Sequence, residues 1–142
     1  MKGLENQMYL LLLAISNVVA ILLIGVSIKW RPLVRICFFI LFAWACWINW
    51  KASLQTPQEY LEYGNLTLSG WYRDFINGWF VGHVGAVIGF IATGQSLVAV
   101  SMLLKGHIFR IGAIVFLIAI LPLGVGSGFP ATAFMAVTIY FF

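Results

Sequence analysis

The charge of this chain is confined largely to the gaps between five long apolar stretches, and this distribution limits the folds open to it. Hydrophobic residues make up 63% of the 142 residues, and charged residues make up only 8%. A water-soluble domain would carry about a quarter charged residues, so the few ions here could not cover the surface of one. The sequence therefore predicts a single-domain, all-α integral membrane protein.

The apolar stretches predict five membrane helices, because a bilayer-spanning helix needs about 20 apolar residues. A polar segment, 51–77, divides the second helix from the third and holds all the acidic residues except Glu5. The last helix would be only about 21 Å long, short of the ~30 Å hydrocarbon core, so whether it crosses fully stays open. The predicted helices cover residues 8–28, 33–50, 78–104, 108–125 and 129–142.

The positions of lysine and arginine predict an orientation, because cytoplasmic loops carry an excess of both. Five basic residues and no acid flank the turns near Lys29 and Lys105, whereas the opposite side combines three basic residues with all four acids. We expect those two turns to be cytoplasmic, with the N-terminus and segment 51–77 outside. The basic residues are scattered rather than clustered, so the expected partner is the lipid bilayer and not nucleic acid.

Small residues follow one face of the third predicted helix at spacings of three and four. Such a face lets another helix backbone approach closely, which is a main source of helix association in lipid. We expect it to pack against another helix, either inside the bundle or between subunits. Its members are Gly78, Gly82, Gly85 and Gly89, followed by Thr93 and Ser96.

One amide, Gln95, lies near the middle of the same helix. A buried amide is unfavourable unless it is hydrogen-bonded. Gln95 is therefore expected either to bond to a neighbouring helix or to contact a ligand.

A second group of polar and aromatic residues lies at the outer boundary. It combines an acid, a base, an imidazole and aromatic side chains, which could hold a quinone head and relay its protons. The alternative is an Arg–Asp ion pair that anchors the outer loop. The group consists of Trp71, Tyr72, Arg73, Asp74 and Phe75, with His83 two to three turns further on.

The residue pattern does not indicate a built-in cofactor. His83 and His107 are expected about 36 Å apart at opposite membrane faces, so they could not share one haem within a chain. Cys37 and Cys46 would lie on opposite faces of one helix, too far apart for a disulfide within it. The acids cluster outside, so we expect no metal site, and quinone is the one redox ligand that the outer group suits.

Several short motifs make the chain resemble the DoxX-like membrane proteins, which include the DoxD-type small subunit of thiosulfate:quinone oxidoreductase. The resemblance runs from Arg35 to the C-terminus, about three quarters of the chain. The motifs are Leu33-Val34-Arg35, Phe42-Ala43-Trp44, Trp71-Tyr72-Arg73-Asp74-Phe75, Gly94-Gln95-Ser96-Leu97, Leu103-Leu104-Lys105-Gly106 and Arg110-Ile111-Gly112.

The resemblance implies a four-helix DoxX-like bundle, to which this chain adds an N-terminal transmembrane helix, in a bacterial or archaeal inner membrane. It also implies a link to sulfur or quinone redox chemistry. Family members commonly carry a glutamate where Gln95 stands, so a proton-carrying carboxylate is missing at that position. Two functions stay open: a membrane subunit of a quinone-linked oxidoreductase, and a non-catalytic accessory subunit packed in a larger membrane complex or homo-oligomer.

Overall fold

The computed structural model describes residues 5–104 and 107–141, and all regular secondary structure in these two ranges is helical. Lys2, Lys105 and Phe142, which the sequence-based predictions include, lie outside them. Short 3₁₀ segments occupy Pro57–Glu62, Trp79–Gly82 and Leu121–Ser127. The α-helices are α1 (Gln7–Lys29), α2 (Arg31–Gln55), α3 (Tyr63–Leu66), α4 (Gly70–Asn77), α5 (Val84–Leu103), α6 (His107–Ile120) and α7 (Ala131–Tyr140).

The first two helices form one hairpin with a single residue between them. The Asn6 side chain caps the start of α1 by accepting from the Met8 backbone N–H at 2.9 Å. Trp30 has a non-helical backbone, and Pro32 then suits the first turn of α2. α2 continues to Gln55 rather than stopping near Trp50, because Lys51 and the residues after it are compatible with a helix.

The polar segment 51–77 differs from the expected loop, since it contains the end of α2, one 3₁₀ segment, α3 and α4. Further along the chain, α5 begins at Val84 instead of residue 78, after the 3₁₀ turn Trp79–Gly82. α6 ends at Ile120, just before Pro122, whose ring nitrogen cannot donate a helical hydrogen bond.

Three helices are long and apolar enough to cross a membrane: α1 with 23 residues, α2 with 25 and α5 with 20. α6 and α7 are apolar but shorter, at 14 and 10 residues. Five spans were predicted, and length and composition support three of them.

The main core is an apolar cluster in which α2 and α5 form the most extensive helix pair. Val34 and Phe38 of α2 are fully buried, and Phe42 stacks near Phe38 with ring centroids 6.4 Å apart. α7 packs against both α1 and α6. A smaller cluster of Ile76, Phe80, Val84 and Ile88 lies beneath α4.

The two ends of the bundle differ in charge. We call the end that carries the segment between α2 and α5 the loop end; it bears the acids Glu59, Glu62 and Asp74. We call the other end, where α1 meets α2 and α5 meets α6, the basic end. There the Arg35 guanidinium donates to the carbonyls of Met102, at 2.8 Å, and of Leu104. Both carbonyls lie at the C-terminus of α5, where the partial negative charge of the helix end favours a nearby cation.

Candidate functional site

Two of the predicted packing glycines lie where α5 meets α2. A Cβ atom at Gly85 would be 3.3 Å from the Ser53 carbonyl oxygen, and one at Gly89 would be 3.2 Å from Ser53 Oγ. The Ser53 hydroxyl also donates to the Gly85 carbonyl at 2.7 Å. Glycine at these positions lets the two backbones approach closely enough for this helix-to-helix hydrogen bond.

The other two glycines of the predicted stripe do not lie in this contact. Gly78 follows α4, and a Cβ atom there would be 2.9 Å from the Asp74 carbonyl of the same helix. Gly82 has open space around its Cβ position. Because α5 begins only at Val84, the four glycines do not share one helix and cannot form one continuous face.

A chain of three polar side chains lies immediately below this contact. Asn49 Nδ2 donates to Gln95 Oε1 at 2.7 Å, which joins α2 to α5. The Tyr60 hydroxyl, from the 3₁₀ segment after α2, donates to Asn49 Oδ1. Gln95 is 93% buried, and its amide nitrogen has no hydrogen-bond partner among the described residues. Gln95 therefore keeps two N–H donors for a ligand.

A cavity of about 360 Å³ opens beside this polar chain, and we call it the seam cavity. Gln95 lies about 17 Å along the helix from Val84, at 1.5 Å per residue, so the cavity reaches well below the loop end. Its polar lining comes from Asn49, Tyr60, Tyr63, Tyr72, Gln95 and Ser127. Its apolar lining comes from Phe75, Ile76, Phe80, Val87, Ile91, Phe116, Ala119, Ile120 and Leu123.

The outer wall of the seam cavity is fixed by contacts to the C-terminal end of α6. The Tyr72 hydroxyl donates to the Ala119 carbonyl. Thr67 Oγ1 and the Leu68 N–H both donate to the Pro122 carbonyl, at 2.7 and 2.8 Å. These bonds satisfy carbonyls that the end of a helix would otherwise leave without partners.

The helical geometry of α4 directs the side chains of Trp71 to Phe75 to different faces of the helix. Residues that are neighbours in sequence point about 100° apart on a helix, so Tyr72, Phe75 and Ile76 line the seam cavity whereas Arg73 and Asp74 do not. Arg73 and Asp74 form no ion pair with each other or with any other residue in the described ranges. The structure therefore places Tyr72 and Gln95 at one site and leaves the charged members of the group outside it.

Four aromatic rings, those of Trp71, Phe75, Trp79 and His83, form a stack on the exposed side of α4 and the 3₁₀ segment after it. Phe75 belongs to this stack as well as to the cavity wall. The rings of Trp71 and Phe75 are 5.9 Å apart and nearly parallel, those of Phe75 and Trp79 are 5.8 Å apart, and those of Trp79 and His83 are 4.3 Å apart. His83 Nδ1 also lies 2.9 Å from the Trp79 carbonyl oxygen. His83 thus ends a row of four stacked rings and does not line the seam cavity.

A second cavity, of about 560 Å³, lies at the loop end, and Tyr60 and Tyr63 belong to the walls of both. Tyr9, Glu59 and Glu62 contribute polar atoms to it. Burial, followed by the nearby Tyr63 and Glu59, raises the pKa of Tyr60 to about 12. Burial, followed by Tyr9 and Glu62, also raises the pKa of Tyr63. Tyr60 is consequently a protonated hydrogen-bond donor at neutral pH.

No group of three or more His, Cys, Asp or Glu side chains in the described ranges is arranged to hold a metal ion. Cys37 and Cys46 are free thiols in half-buried positions on α2. His83 precedes α5 at the loop end, and His107 begins α6 at the basic end.

No protein-family model, curated protein or solved structure matches this chain.

Three residues of this site, Asn49, Tyr60 and Tyr63, were not among the site residues predicted from the sequence. Asn49 is 46 positions before its partner Gln95, and no spacing within one helix could connect them. One available signal was that an amide in an otherwise apolar helix requires a polar partner on a neighbouring helix. Asn49 is such a residue, two positions before Lys51 in α2.

Proposed function

We propose that this chain is a membrane subunit of a quinone-linked oxidoreductase and that it binds the quinone head in the seam cavity. The observation that supports this most is Gln95, whose amide lines the cavity and whose N–H groups have no acceptor among the described residues. A quinone is a flat apolar ring with two carbonyl acceptors, so it needs apolar walls and a few well-placed donors.

The size and lining of the cavity suit such a head group. Small-molecule sites are mostly apolar clefts of roughly 300–1,000 Å³ with a small number of orienting polar groups. Phe75, Phe80 and Phe116 supply aromatic wall, and Gln95 supplies the donor to one quinone carbonyl. Phe75 is 36% exposed, so the cavity reaches the surface beside α4, where an apolar tail can leave toward lipid.

In this proposal, protons reach the quinone past Tyr60 and Tyr63, which line both cavities. Reduction of a quinone to a quinol takes up two electrons and two protons. In this proposal a partner subunit supplies the electrons, and water at the loop end supplies the protons. Tyr60 lines both cavities, so in this proposal its hydroxyl carries protons from the acidic cavity toward the quinone.

The proposal includes membrane embedding with the basic end in the cytoplasm, following the distribution of lysine and arginine. It also includes the DoxX-like arrangement, in which α2, α5, α6 and α7 are the four core helices and α1 is the addition. The resemblance of the sequence motifs supports an oxidoreductase partner, with reduced sulfur compounds as one candidate class of electron donor.

The proposal is tested by quinone binding to the purified full chain in nanodiscs. We expect quinone to bind at about one per chain, with a Gln95→Leu variant binding about tenfold more weakly, since one buried hydrogen bond is lost. Ser96→Ala is the matched control, because Ser96 is the next residue on α5, does not line the cavity and, among the described residues, donates its hydroxyl to the Thr93 carbonyl alone.

An Arg73→Ala substitution distinguishes quinone binding in the seam cavity from quinone binding at the outer group that the sequence suggested. Arg73→Ala should leave quinone binding unchanged, because Arg73 does not line the seam cavity. Loss of binding in Arg73→Ala with retention in Gln95→Leu would contradict the seam cavity and favour an outer site. No quinone binding by the wild-type chain would contradict both.

The exposed ring stack favours a second function, that of a non-catalytic accessory subunit. Trp71 is 69% exposed and Trp79 is 57% exposed, and aromatic residues of this kind are enriched at protein interfaces. Purification in mild detergent distinguishes the two functions. A stable complex with larger membrane subunits that contains no quinone, and that Trp71→Ala disrupts, would favour the accessory role.

A further inference from the structure

A groove between α6 and α7 at the basic end combines an apolar wall with a positively charged rim. Its volume is about 340 Å³. Arg110 is half-buried and His107 is exposed, and an Arg110 guanidinium nitrogen is hydrogen-bonded to His107 Nδ1. The lining residues are His107, Arg110, Ile111, Ile114, Ile139 and Tyr140.

The guanidinium of Arg110 has no negative side chain near it. The chain contains four acidic residues, and all of them belong to the loop end: Glu59, Glu62 and Asp74 lie in or beside its short helices, and Glu5 precedes α1. Among the described residues, the groove therefore carries a cation that no acidic side chain neutralises.

The surface around the groove is made of exposed apolar side chains. Ile111 is 60% exposed and Tyr140 is 73% exposed. On the same helix, Ile108 and Val115 are 80% and 59% exposed. A free inorganic anion could neutralise Arg110 but would leave this apolar surface uncovered. A ligand that satisfies both parts needs an anionic head and long apolar chains.

We propose that this groove binds one anionic phospholipid, with its phosphate on Arg110 and an acyl chain along Ile111 and Ile114. The guanidinium can bind phosphate through two parallel N–H donors. Basic pockets between helices at the cytoplasmic face are suited to anionic head groups. The inference depends on the membrane embedding included in the proposed function and is independent of the quinone site.

Native mass spectrometry of the full chain tests it, with equal amounts of phosphatidylglycerol and phosphatidylcholine added in detergent. The wild-type chain should retain one phosphatidylglycerol at least about tenfold more tightly than phosphatidylcholine, as expected for a charge-assisted bond. Arg110→Gln should reduce this preference to about twofold or less, and Arg110→Lys, which keeps the charge but not the paired donors, should retain part of it.

The matched control is Arg73→Gln, which removes the same charge at the loop end and should keep the full preference. Equal retention of both lipids by the wild-type chain would overturn the proposal, and this measurement requires no variant to fold. Equal loss in Arg110→Gln and Arg73→Gln would also overturn it, because the effect would then be one of overall charge. A thermal stabilisation by inorganic phosphate alone that matches phosphatidylglycerol would replace the lipid with a simple anion site.

Discussion

The helices α1 and α5 are both apolar, but they differ in how much of their surface is buried. α5 packs closely against α2, whereas most of α1 is exposed. α1 is apolar nearly all round, yet only Ala20 and Ser27 of its 23 residues are buried. α5 is of similar length but buries eight residues, among them Gly89 and Gln95. Apolar composition therefore suits a helix to lipid, whereas small residues and polar side chains determine which neighbour it packs against.

The largest expected effect comes from filling the close approach of α2 and α5. A leucine at Gly89 would meet Ser53 Oγ and the Trp50 ring, which are 3.2 and 3.5 Å from the Cβ position. We expect Gly89→Leu to lower the free energy of unfolding by about 2–3 kcal/mol, measured by SDS titration in mixed micelles.

Gly94→Leu is the control for this comparison. Gly94 lies on the same helix, and no atom is within 4 Å of its Cβ position. Its substitution should change the unfolding free energy by less than about 0.5 kcal/mol. Equal destabilisation by the two variants would show that the close approach is not specific to Gly89.

A smaller effect is expected from the amide pair that joins the same helices. Asn49→Leu and Gln95→Leu each leave the partner amide without its hydrogen bond, so each should destabilise the fold. A double-mutant cycle should give a coupling energy of about 1 kcal/mol, the size found for hydrogen bonds between membrane helices. Strictly additive single effects would mean that the two amides do not interact.

The smallest effect is expected on the exposed face of α1. Leu22 is 62% exposed, so Leu22→Ala deletes atoms that contact few other residues and should change stability by less than about 0.5 kcal/mol. The fully buried Ile88 of α5 provides the contrast, where Ile88→Ala should destabilise by about 2 kcal/mol. A large loss in Leu22→Ala would indicate that another chain covers α1.

The helices themselves could largely be predicted from sequence, because long apolar runs leave few alternatives. α1 was expected at 8–28 and is Gln7–Lys29. The ends were less predictable where polar residues continue a helix, as Lys51 does in α2, or where a 3₁₀ turn precedes one, as before Val84. The short helices α3 and α4 have only four and eight residues, and the Tyr72 hydroxyl of α4 is hydrogen-bonded to the end of α6, a contact that the sequence does not reveal.

The candidate site was only partly predictable. Gln95 stood out because it is an amide in an apolar helix, and Tyr72 because of its aromatic neighbours. The sequence grouped Arg73, Asp74 and His83 with Tyr72, but helical geometry directs adjacent side chains to different faces. The partners Asn49 and Tyr60 come from α2 and the segment after it, and only the fold brings them to Gln95.

The central claim is that the helices cross a bilayer with the loop end and the basic end on opposite sides. Labelling with a membrane-impermeant maleimide tests it in intact cells, in a chain whose Cys37 and Cys46 are replaced by alanine. One reporter substitution is Gln58→Cys at the loop end, and the other is Trp30→Cys at the basic end, both at exposed positions.

We predict that the Gln58→Cys chain is labelled in intact cells and that the Trp30→Cys chain is labelled only after permeabilisation. Equal labelling of both chains in intact cells, or recovery of the protein in the soluble fraction, would contradict the account.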